Sequence, residues 1–163
     1  MSEKAKIFVS RNGDAFSVKV SGRATFSVAP TMRNIVQRLK TDREIKHFSV
    51  ELTECTGMDS TFMGILTQLA LTCTRLYSEK VKVLNPGEAN IKLLHGLGLD
   101  RLFDYVDTNE TIMTNWEQEE ERNVDLRENA ETVLNAHRTL IEAVPANKDK
   151  FAGVVAQVEK ELK

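Results

Sequence analysis

Cys55-Thr56-Gly57-Met58-Asp59-Ser60-Thr61-Phe62-Met63-Gly64-Ile65-Leu66 joins a run that reads as a buried strand, Phe48 to Leu52, to a long apolar-periodic segment that reads as a helix. Asp59 directly before the periodic run is a helix N-cap signal, and Met58 and Met63 have the spacing of a hydrophobic staple across it. Ser60 and Thr61 therefore fall in the first helical turn. The backbone N–H groups there lack intrahelical partners and sit at the positive end of the helix dipole, so a phosphate on either hydroxyl would meet unused donors.

From Ser60 to about Ser78, Phe62, Ile65, Leu66, Leu69, Cys73, Leu76 and Tyr77 mark a wide apolar stripe. Gly64 interrupts it at a cost in helix propensity, which calls for close packing or for a bare backbone patch at a partner surface. Upstream, Lys6 to Ser10 and Ala15 to Ser21 read as a hairpin turned by Arg11-Asn12-Gly13-Asp14. Pro30 opens a first helix to about Lys40, with Met32, Ile35, Val36 and Leu39 at helical spacing. Phe48, Val50 and Leu52 lie on one face of the next strand. Downstream, Val81 to Leu84 is a short strand stopped by Asn85-Pro86-Gly87. A third helix runs from about Glu88 to His95, with Ile91, Leu94 and Leu97 inward and Gly96 as its stop, and Leu102 to Val106 is the last strand. This order gives an α/β fold with a mixed, mostly parallel sheet and helices packed against it.

The segment Met58 to Leu66 resembles the Asp-Ser-(Ser/Thr)-x-(Leu/Met)-Gly-x-(Leu/Ile) signature of STAS domains, the family of bacterial anti-sigma-factor antagonists. Leu93-Leu94-His95-Gly96-Leu97-Gly98-Leu99-Asp100-Arg101-Leu102-Phe103 is similar to the closing segment of the same domains. The resemblance spans roughly Ile7 to Asp107 and implies a STAS fold over residues 1–107. It further implies that Ser60 is a phosphoacceptor, with Thr61 as second candidate. The implied function is an anti-sigma-factor antagonist-like module that binds a protein Ser/Thr kinase acting as anti-sigma factor while unphosphorylated. A Ser phosphatase resets it. A partner surface would comprise Met58, Phe62, Met63, Gly64, Arg23 and Thr25; phosphorylation adds roughly −1.5 to −2 charges to the mostly neutral part of it around Met58, Ser60, Phe62 and Met63. Gly22-Arg23-Ala24-Thr25-Phe26 departs from the family pattern, which tends to carry an acid here; the loop is positive instead. The resemblance therefore also admits a STAS scaffold or accessory subunit of a larger complex, such as a lipid-transport ABC system.

Past Asp107 the character changes, and residues 108–163 read as a helical extension. Thr108 to about Trp116 reads as a linker. From Glu117 a long helical pattern carries Val124, Ala130, Val133, Leu134, His137, Leu140, Ile141 and Val144, and Pro145 ends it. Asn147-Lys148-Asp149 caps a second helix with Phe151, Val154, Val155, Val158 and Leu162 on its stripe. A helical hairpin this small buries too little alone, so it must pack on its own domain, on a second copy as a homodimer contact, or on a partner.

The 163 residues carry a net charge of −2 with 28% charged residues, and the basic side chains are scattered, which argues against nucleic acid as partner. No apolar run is long enough to insert into a membrane, the N-terminus lacks a leader pattern, and Cys55 and Cys73 read as reduced thiols, together giving a cytoplasmic expectation. No Walker motif, phosphate-cradling loop or metal-ligand spacing occurs, so no cofactor or metal is expected. Nor is an enzyme: a nucleophilic Ser60 needs a base, and His47, His95 and His137 read as a strand edge, a helix end and the tail.

Overall fold

The structure, a computed structural model, describes residues 4–109, 113 and 115–163. Strands β1 (Lys6–Asn12) and β2 (Ala15–Ala24) form the antiparallel hairpin, with Gly13 in the left-handed region at φ 61°. Helix α1 (Ala29–Thr41) follows, then β3 (His47–Glu51), β4 (Cys55–Met58), α2 (Ser60–Tyr77), β5 (Val81–Leu84), α3 (Gly87–Gly96) and β6 (Phe103–Val106). The chain ends with β7 (Glu117–Gln118), α4 (Leu126–Ala143) and α5 (Lys148–Glu161). The sheet runs β6-β5-β3-β2-β1-β7, and the pairings of β2 with β3, β3 with β5 and β5 with β6 are parallel.

Several stretches differ from the sequence-based reading, and Leu76, expected on the buried stripe of α2, is exposed. Cys55 to Met58, read as a loop, is a short strand pairing parallel with the end of β2, where a register shift at Gly22/Arg23 lets β2 leave β3 for β4. Ile91 is more than a third exposed, since α3 buries only Asn90 and Leu94. The helix expected from Glu117 begins only at Leu126, where Asp125 accepts the Glu128 amide at 2.8 Å; Val124 precedes it. Local acidity gave no stop signal, and Glu117 and Gln118 instead add an edge strand to β1 at Val9 and Phe8. The linker read over Thr108 to Trp116 lies partly outside the described residues.

The core is continuous from the sheet through α1 and α2 to α4: Phe62, Ile65, Leu66 and Leu69 of α2 share it with Ala136 and Leu140. The extension thus contributes to the same core as the sheet. Both cysteines are free and buried. Among the described residues no helix is long and apolar enough to cross a membrane.

Candidate functional site at the start of helix α2

The parallel register of β4 on β2 sets Ala24 beside Met58, and the Asp59 amide donates to the Ala24 carbonyl at 3.0 Å. This brings the loop after β2 against the start of α2. Asp59 then holds both: Oδ1 accepts the Phe62 amide at 2.8 Å as an N-cap, and Oδ2 accepts the Phe26 amide at 2.7 Å. Thr25 and Ser27 hydroxyls pair at 2.9 Å in the same loop, Arg23 is exposed, and Phe26 is half exposed.

Ser60 is the first residue of α2 and is partly exposed. Its Oγ lies 2.9 Å from Nε2 of His137, which is 77 positions away in the chain. The other ring nitrogen, Nδ1, lies 2.7 Å from the Val133 carbonyl. A carbonyl only accepts, so Nδ1 carries the proton, Nε2 presents its lone pair, and the Ser60 hydroxyl donates to it. The imidazole is buried, with the Phe151 ring edge-on at 5.0 Å.

The remaining expected site residues divide by burial. Met58, Phe62, Met63 and Gly64 are all buried, so they do not form the open patch expected of a partner surface. Phe62 points into the core, and the outward face of Gly64 is covered by α4. A β-carbon placed on Gly64 would sit 2.5 Å from the Ala136 carbonyl oxygen. The bare backbone read from the sequence is used within the chain. Thr61 is buried, while Arg23 and Thr25 stay accessible on the loop.

His137 is the residue that sequence reasoning missed. From the sequence it reads as one of the tail's stripe residues, one turn after Val133 in the segment that forms α4, with no link to Ser60. A histidine on such a stripe signals a buried polar contact, but nothing local to either segment names the partner.

The base that a serine nucleophile needs is therefore within reach of Ser60. Nδ1 is oriented by a main-chain carbonyl in place of a carboxylate, and a cleft of about 610 Å³ lies elsewhere, between the ends of α1 and α2. The two cysteines are held as thiols: burial pushes Cys73 up to about 12, and burial likewise raises Cys55.

No protein-family model matches the sequence, and no curated protein matches it. Solved structures do. The Bacillus cell fate determinant SpoIIAA in its phosphorylated form superposes at a TM-score of 0.53 with 13% identity, covering 64% of this chain and 92% of that one. An anti-sigma factor antagonist from Mycobacterium paratuberculosis gives a TM-score of 0.54 with 23% identity, over 65% of this chain and 88% of that one. The chain has a STAS fold. The unphosphorylated form of SpoIIAA gives the same result, with a TM-score of 0.52 and 14% identity over 64% of this chain and 89% of that one. At these identities the likeness is one of fold. The Ser60 site lies where β4 of this STAS fold hands over to α2, and in each comparison about a third of the chain lies outside the match.

Proposed function

We propose that this STAS-fold chain is an anti-sigma-factor antagonist-like binding module, not an enzyme, switched by reversible phosphorylation of Ser60. In its unmodified state it binds a protein Ser/Thr kinase that acts as anti-sigma factor, and a Ser phosphatase restores that state. The observation that carries this reading is the placement of Ser60. It is the first residue of α2, itself partly exposed, behind an Asp59 cap that fixes the adjoining loop and at the positive end of the helix. Thr61 ranks second because it is buried. Arg23 and Thr25 are the partner-facing residues that remain open, and Met58, Phe62, Met63 and Gly64 support the site from beneath.

The test is phosphopeptide mapping of the protein isolated from its own cells, combined with capture of partners by wild type and by Ser60→Asp. Phosphate at Ser60, together with a kinase-type ATPase held by wild type and released by the variant, is the expected result. An unphosphorylated Ser60 with identical partners for both would overturn it.

One observation favours a second reading. Ser60 and Gly64 are already engaged within the chain, as in a STAS scaffold or accessory subunit whose serine only packs a helix. Under that reading an ABC-type ATPase is captured equally by both proteins. A homodimer through the C-terminal helices would use what those helices leave exposed, Leu126 and Val154, and light scattering of the full chain tests it.

A further inference from the structure

The face of α2 that carries Ser60 is filled. Within about one turn, helix α4 makes three contacts with it at α2 positions one turn apart: His137 on the Ser60 hydroxyl, Ala136 on the bare backbone of Gly64, and the Thr139 hydroxyl accepting from Gln68 Nε2 at 3.2 Å. Helix α5 backs α4, where Phe151 meets the His137 ring and Arg138 pairs with Glu159 at 2.8 Å.

We infer that this face of α2 is a helix-receiving interaction surface whose resting occupant is the chain's own α4–α5 hairpin, and that docking of the hairpin and a bulky anionic group on Ser60 exclude one another. The inference rests on Ser60 as the modified residue and adds what modification does.

The exclusion follows from distance. Ser60 Oγ and His137 Nε2 are already at hydrogen-bond separation, so a phosphoryl-sized group has no room between them. Retreat of α4 is opposed one turn along, where its Ala136 backbone is seated on Gly64 with no space for even a methyl group. While Nδ1 is committed to the Val133 carbonyl, Nε2 presents a lone pair and gives a phosphate oxygen no donor. Release of the hairpin withdraws Ala136 and Leu140 from the core that they share with α2, and it strains the ties of the connecting segment at Arg122 to Thr31 and Glu119 to Arg38, so the hairpin leaves as one unit or not at all. A trans partner suited to the vacated face is a helix with a small residue opposite Gly64 and an acceptor opposite Ser60.

The test uses the full chain carrying Ser60→Cys, treated with 2-sulfonatoethyl methanethiosulfonate, which places a short sulfonate through a disulfide. Adduct sites are assigned by mass spectrometry, and cover docking is followed by amide hydrogen exchange. The expected result is slow labelling of the introduced thiol, loss of protection across 126–161 in the adduct, and retained protection in α2 and β1–β6. Adding Ala136→Leu, which overpacks the seat, should speed labelling about tenfold or more. Ala136→Leu with Ser60 intact should also deprotect 126–161, independently of any thiol. An adduct with unchanged protection in α4 overturns the inference, as do immediate labelling at a free-thiol rate and a thiol that reacts only on global unfolding. None of these readouts depends on whether cells phosphorylate Ser60, so that proposal can fail separately.

Discussion

Asp59 spends one carboxylate oxygen on the Phe62 amide of its own helix and the other on the Phe26 amide of the loop after β2. An ordinary N-cap satisfies one orphan donor; this one also fixes where Thr25 and Arg23 stand relative to Ser60. Charge-assisted bonds of this kind exceed neutral ones, so Asp59→Ala should cost about 2 kcal/mol or somewhat more, read as a lower urea midpoint at unchanged slope. Asp59→Asn retains an acceptor for one amide and should cost less. The Ser60–His137 pair gives a second residue-scale expectation. A fluorophosphonate probe should leave Ser60 of the full chain unlabelled, as assayed by peptide mapping, because the site lacks a carboxylate behind the imidazole and a cleft for substrate. Labelling that Ser60→Ala abolishes would reverse the non-enzymatic reading.

Between elements, Asn147 is the fastener of the C-terminal hairpin. It stands at the N-cap position of α5, where the sequence suggested that it would cap. Its side chain makes no capping bond and instead donates from Nδ2 to the Leu97 carbonyl at 3.0 Å and the Leu140 carbonyl at 3.1 Å. One amide thus ties the end of α3, the end of α4 and the start of α5. Nearby, Lys150 donates to the Gly96 carbonyl at 2.6 Å. Gly98, at φ 70°, lies so close to Val144 that a β-carbon would stand 3.0 Å from its Cγ1. Asn147→Ala removes the donor to the Leu97 carbonyl and the second donor to the Leu140 carbonyl, and should destabilise by about 1–2 kcal/mol. Hydrogen exchange should rise first in α5 and the last turn of α4, with the sheet unaffected. Exchange rising uniformly would mean that the hairpin does not open separately.

For the molecule as a whole, ionisable groups buried as neutral species set an alkaline limit. Cys73 is raised to about 12 by burial first and by Glu79 second, and Tyr105 to about 12 by burial first and by Asp100 second. Both are acids that the folded state keeps protonated to higher pH than the unfolded chain does. Above their ordinary values of 9.0 and 10.0 the folded state binds more protons, so stability falls with rising pH. Stability is therefore complete with respect to these groups below about pH 9 and declines progressively toward pH 12. Urea midpoints measured from pH 8 upward should decrease through that window, and Cys73→Ala should remove part of the slope. Thiol reagents at pH 8 should leave Cys55 and Cys73 untouched in the native chain and modify both once it is unfolded.

The sequence by itself determined the body of the fold, because each of its elements announces itself over a few neighbouring residues. Met32, Ile35, Val36 and Leu39 carry α1, Phe48, Val50 and Leu52 carry β3, and Asp59 marks the start of α2. Short-range periodicity and capping chemistry need no knowledge of the rest of the chain. Tertiary structure decided what depends on contacts across long separations. A four-residue β4 exists because β2 supplies a partner, β7 exists because β1 has an open edge, and α4 starts at Leu126 although the acidic run begins earlier. Above all, tertiary structure decided the surroundings of Ser60. Gly64 promised a bare backbone and His137 read only as part of the tail, and their meeting on one face of α2 is fixed only when the C-terminal hairpin seats on a core it shares with the sheet.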